Sequence, residues 1–152
     1  MAPSFVKPSG VSTPFGPREY LRSTNPKPQY ESYTVAASTV PERVIDGSTQ
    51  RILQRGLAMA KITSGPEAGN VGPFQADATD GRQTLANLVG LNETFLPWQL
   101  LSGDNREIAV ATNCTAVQAW CRELDADGEE IVLTDTTADA LRGTKRLDIN
   151  FA

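Results

Sequence analysis

Between Val44 and Gly90 the chain is punctuated by glycine and proline so often that only short elements separated by turns can form there. Arg55-Gly56 leads into an apolar run, Leu57 to Ile62. The following SGPEAGNVGP can continue neither as helix nor as strand. Phe74 and Gln75 come next, then a turn at Thr79-Asp80-Gly81 and a third apolar run, Leu85 to Leu91, read as a strand although Leu85, Leu88 and Val89 would also suit a helix face. The expected body is compact and mainly β (α+β): a small β-barrel or β-tulip-like domain with one or two short helices.

The 152 residues suffice for one domain with an appended arm. Charged residues at 21% and hydrophobic ones at 39% place it with soluble globular chains, and no run approaches the roughly 20 apolar residues of a membrane span. The opening MAPSFVKPSG has no apolar h-region, so no secretory leader is expected. Histidine is absent, which excludes Ser-His-Asp and Cys-His nucleophile systems and leaves a zinc site dependent on carboxylates or a second chain. Cys114 and Cys121 stand seven positions apart, about 23 Å in a strand or about 10 Å in a helix, too far for a disulfide within one regular element. They are expected to be small buried side chains.

The composition changes near residue 41. Seven of the ten prolines and five of the ten aromatic residues fall within residues 1–41, and Lys7, Arg18, Arg22 and Lys27 against Glu19 and Glu31 give that part a charge of +2, leaving −6 for the rest. Proline at this density interrupts helix and ladder alike, so residues 1–41 read as an extended arm on a body spanning 42–152. Its recurring large side chains set it apart from a Gly/Ser linker. Either it buries them on a partner, each for about 1.5–3 kcal/mol, or it folds over its own domain. The arm residues expected to bind are Phe5, Val6, Phe15, Tyr20, Leu21, Tyr30, Tyr33 and Val35.

Asp46-Gly47 is a type I′ turn signal. Phe95, Leu96, Trp98 and Leu100 form an apolar cluster in a loop-like frame, either local core cover or a subunit interface. Glu107 to Leu124 alternates as one bent strand or two, with Val117, Ala119 and Cys121 on one face; Asp125 to Gly128 then turns into Ile131-Val132-Leu133. Thr137 to Arg142 reads as a helix capped by Thr136 or Asp135 and stopped at Gly143, and Leu147 to Phe151 alternates as a terminal strand.

Several motifs fail on their spacing. Gly65 to Gly72 lacks the Gly-Lys-Ser/Thr ending of a phosphate loop. Asp125, Asp127 and Glu130 lack the spacing of a calcium loop, and Asp77 and Asp80 are turn formers beside Gly81. An acidic body and a dilute basic arm do not suit nucleic acid. Neither cofactor nor metal is expected, and the chain is not read as an enzyme.

The order of these pieces resembles a family. Arg55-Gly56, the apolar run ending in Lys61-Ile62, the Gly/Pro turn, the connector bearing Phe74, the segment Ala78 to Thr84 and the short apolar strand after it are similar to the head decoration proteins of tailed bacteriophages, typified by the lambda capsid-stabilising protein. The short helix before an alternating terminal strand resembles that family's ending. The resemblance implies a homotrimer on the exterior of the expanded capsid where capsomers meet, bound to the major capsid protein and holding the shell against packed DNA. Another phage structural role, a fibre anchor or tail component, is the alternative.

Overall fold

The computed structural model describes residues 17–24, 27–142 and 148–151. In chain order the elements are β1 (Leu21–Ser23), β2 (Gln29–Val35), β3 (Arg43–Ile45), β4 (Ser48–Gln50), β5 (Ala58–Lys61), β6 (Val71–Pro73), β7 (Leu88–Asn92), β8 (Arg106–Ala116), β9 (Arg122–Leu124), β10 (Glu130–Val132), α1 (Asp135–Leu141) and β11 (Asp148–Phe151), with four 3-10 turns between them. The protein is mainly β, as its sequence leads one to expect. Its sheet forms a ring: β8, β2, β6, β5 and β7 pair in that order and β7 returns to β8. The β2–β6 seam is a single pair, Val35 with Val71.

Strand β8 organises the ring because its sequence, REIAVATNCTA, alternates over eleven residues without glycine or proline. Antiparallel β1 and β2 flank one side of it, while β7 and parallel β11 flank the other; Ala116, for example, lies between Leu21 and Phe151. A register shift opposite Gln29 and Tyr30 changes which of its side chains turn inward, so Ile108 and Val110 join one core cluster and Cys114 and Ala116 another. The same two clusters take alternate residues of β5, Met59 in one and Ala58 and Ala60 in the other. Strand β7 packs so closely on β8 that Gly90, at φ 138°, has no room for a side chain: a Cβ there would sit 2.1 Å from the Ala111 carbonyl oxygen.

Local turn chemistry appears where the sequence places it. Asp46 and Gly47 both take positive φ, joining β3 to β4 as a type I′ turn requires. Asp125 to Gly128 joins β9 to β10, with the Asp125 carboxylate accepting from the Asp127 and Glu129 amides at 2.9 Å each. The helix begins earlier than Thr137: α1 starts at Asp135 and its cap is Thr134, whose hydroxyl oxygen accepts from the Thr137 amide at 3.3 Å. Glu123, buried beneath it, also accepts from the Thr134 amide, at 2.7 Å, which favours Thr134 over the expected Thr136 or Asp135. Gly143, the expected stop, lies outside the described residues. The run from Leu85 resolves into a 3-10 turn over Leu85–Asn87 and then β7.

Within the arm expected over residues 1–41, β1 and β2 pair with β8 of the body. No proline falls between Pro28 and Pro41, leaving QYESYTV free to pair along β8 for its whole length. Tyr20 and Val35 are fully buried core residues, so neither is available to a partner. Leu21 is half-buried against the Tyr20 cluster and Tyr33 against the Val35 cluster. The expected binding residues Phe5, Val6 and Phe15 lie outside the described residues.

Two further expectations change. Leu96 and Leu100 belong to the core, where Leu53 exchanges backbone hydrogen bonds of 3.0 Å with Leu96 and Leu100 is fully buried. The subunit-interface reading therefore loses them, while Phe95 and Trp98 are half-buried. The face shared by Val117, Ala119 and Cys121 does not exist. A 3-10 turn over Gln118–Trp120 breaks the alternation, leaving Ala119 exposed and Cys121 buried.

Candidate docking surface

With part of the arm built into the ring, the surface it offers is a strand edge. Strand β2 is bonded to β8 along one side from Gln29 to Val35. On the other side, among the described residues, its ladder pairing is the Val35–Val71 pair alone. At Tyr30 and Ser32, among the described residues, no further strand is paired on that side, and these alternate residues turn their N–H and C=O groups outward. Natural edges are commonly blunted by lysine, proline or bulges, yet between Gln29 and Thr34 the only charged side chain is Glu31, and Lys27-Pro28 stand just outside.

Tyr30 is 42% exposed on this strand, with Ser32 and Thr34 exposed at the same alternation. Across the edge, Ser32, Tyr33, Thr34, Gly69, Asn70 and Glu107 line an open depression of about 230 Å³. Asn70 is held by the Glu67 carboxylate at 2.8 Å, and the same carboxylate oxygen accepts from Asn105, tying the Gly-rich turn to the start of β8. The edge thus has a framed wall.

Behind it lies a polar cluster that anchors the chain before β1. The buried Tyr20 hydroxyl donates to Glu93, which also accepts from Arg55 at 2.9 Å, and the Arg55 guanidinium lies 5.3 Å from the centre of the Tyr20 ring. Gly56, at φ 78°, faces the Tyr20 Cβ so closely that an added Cβ would come within 2.7 Å of it. Burial, then the hydrogen bond to Glu93, pushes the Tyr20 phenol well above its ordinary range; burial and then the Glu93 charge raise Tyr30. Burial works against the Arg55 charge, but Glu93 outweighs it and the guanidinium is held more firmly protonated.

Both thiols are free and buried, as the spacing of the cysteines leads one to expect. Burial, followed by the Glu93 charge for Cys114 and by the neighbouring Cys114 for Cys121, pushes each up to about 12, so neither is a thiolate at neutral pH. Among the described residues no group of three or more His, Cys, Asp or Glu side chains is placed to hold a metal ion. Asp80 works as a turn residue: its carboxylate grips Arg82 at 3.0 Å while Arg82 donates to the Pro73 carbonyl at 3.1 Å.

Comparison with protein-family models, with curated proteins and with solved structures finds no match for this chain. Sequence reasoning placed Tyr30 on an extended arm, whereas it stands on β2, paired along β8. It also missed Trp120 and Val132, 45% and 51% exposed.

Proposed function

We propose that this chain is a structural virion protein of the head-decoration kind. It binds the major capsid protein on the outside of an expanded tailed-phage shell, as a trimer where capsomers meet, and it braces the shell against internal DNA pressure. The observation that carries the reading is the edge of β2 at Tyr30 and Ser32, where no further strand pairs among the described residues and Tyr30 is exposed. An extended segment of the shell protein adds to that edge as a further strand, and Tyr30 supplies the side-chain contact. The resemblance through Arg55-Gly56 and the segment Ala78 to Thr84 supports the same reading, since these residues lead into β5 and β7, neighbours in the ring.

The energetics suit a repeated weak contact. Each added backbone hydrogen bond contributes about 0.5–1.5 kcal/mol net, so one short edge gives modest affinity. Three edges on one trimer convert the second and third contacts into local events, raising avidity by about 10²–10⁴-fold where the geometry matches. Half-buried Phe95 and Trp98 are the residues offered for contact between subunits.

The test is cosedimentation with empty expanded shells of the phage that encodes the chain. Wild type should bind at hundreds of copies per particle, and Tyr30→Ala combined with Ser32→Lys should weaken binding at least tenfold. Binding unaffected by the pair, or confined to a few copies per particle as for a tail component, would overturn the proposal.

A further inference from the structure

A concave space of about 390 Å³ opens where the connector after β6, the turn before β7, the β9–β10 hairpin and the start of α1 meet. Buried Phe74 and Leu124 line its inner part, and Leu85 and Ile131, each 37% exposed, stand at its rim. Its walls are tied to one another. The Leu124 amide donates to the Phe74 carbonyl at 3.2 Å, which holds the connector to the hairpin. Glu123 of the same hairpin accepts from the Thr134 amide at 2.7 Å and from the Thr137 hydroxyl at 3.1 Å, which holds α1 to it. A preformed and largely apolar space of this volume falls in the size range of small-molecule sites, about 300–1,000 Å³.

Its charge is of one sign. Glu123 and Asp125 line the space and no lysine or arginine does. Neither carboxylate is ion-paired among the described residues. Their oxygens are used differently. Both oxygens of Glu123 are taken up by the start of α1, and the residue is 4% exposed. Asp125 Oδ1 accepts both amides of its turn, from Asp127 and Glu129, while Oδ2 accepts no hydrogen bond among the described residues. Asp125 is half-buried, so Oδ2 is the acceptor left for a ligand. Glu123 adds its charge from inside the body, where salt screens it least.

We propose that this space binds a small organic cation: a primary amine on an apolar body about the size of an indole ring. The ammonium donates to Asp125 Oδ2, and the body packs against Phe74, Leu85, Leu124 and Ile131. Burial of the body supplies the bulk of the affinity. Charge supplies the choice, because an anion on the same body would meet two carboxylates and no cation. Enclosure by four separate segments suits a free small molecule rather than an added strand, which needs an open row of backbone groups. This inference does not rest on the virion reading and concerns other residues.

The test is titration of the full-length chain at neutral pH, followed by amide NMR, with tryptamine, 3-methylindole and indole-3-propionate, which share a ring system and differ in charge. Tryptamine should shift the Leu85, Asp125 and Ile131 amides and bind at least tenfold more tightly than indole-3-propionate. Asp125→Asn keeps an acceptor for the two turn amides; it should weaken tryptamine at least tenfold and leave 3-methylindole unchanged. Leu85→Lys, at the exposed rim, should abolish tryptamine binding with the melting temperature unaltered. Tryptamine shifts that are absent or scattered over the whole surface would overturn the proposal, as would equal affinity for the amine and the acid. So would Asp125→Asn that binds tryptamine as wild type does, or that loses tryptamine and 3-methylindole alike, since the carboxylate would then serve only its turn.

Discussion

Replacing Tyr20 with alanine should destabilise the body by about 3–5 kcal/mol, the range for emptying a fully buried aromatic site. The side chain is fully buried in the cluster with Ala58, Leu91, Cys114 and Cys121, under the Arg55 guanidinium and against Gly56. Its loss also removes the phenol donor from Glu93, which then keeps Arg55 as its partner. For a chain of this size each kcal/mol moves the midpoint by about 2–4 °C, so the melting temperature should fall by about 6–20 °C. Urea unfolding followed by tryptophan fluorescence reads the change directly, with the slope m unaltered. Tyr20→Phe retains the ring and should cost about 1 kcal/mol, the worth of one hydrogen bond. A loss below about 1 kcal/mol for Tyr20→Ala would refute the reasoning, since truncation within a loose leader changes little.

Three further outcomes are expected. Gly90→Ala forces a Cβ against the Ala111 carbonyl at φ 138° and should cost on the order of 3 kcal/mol or fail to yield folded protein, read by the same urea series. Thr134→Ala removes the α1 cap and should cost about 0.5–2 kcal/mol by thermal melt. Alkali should destabilise the protein: with Cys114 and Cys121 raised from 9.0 to about 12, the unfolded chain releases these protons first, so their contribution is whole below pH 9 and falls away between pH 9 and 12. Melts at pH 8 to 11 should show a decline that Cys114→Ala with Cys121→Ala makes shallower.

What was legible in the sequence was local. Asp46-Gly47 and Asp125 to Gly128 announce their turns because the φ values they need belong to those residues, and the alternation ending at Phe151 announces β11 because Ile149 turns into the core while Asp148 and Asn150 stay exposed. The long-range partners were not legible. Nothing in QYESYTV tells that it lies along residues 106–113, so a strand between prolines reads as an arm. Leu96 and Leu100 read as a sticky loop because their partner, Leu53, is distant in sequence and itself unremarkable. The Trp120 surface was hidden by an alternation that a three-residue turn interrupts. Tyr30 was the part of the candidate site that could be read, since an aromatic on a polar strand stands out without knowledge of its neighbours.

The most direct measurement is electron cryomicroscopy of expanded shells decorated with this chain. The account expects many copies on the outer surface, each with a shell-protein strand hydrogen-bonded to β2 at Tyr30 and Ser32 and the Tyr30 side chain at the contact. Copies attached through another face, with the β2 edge bare, would contradict it.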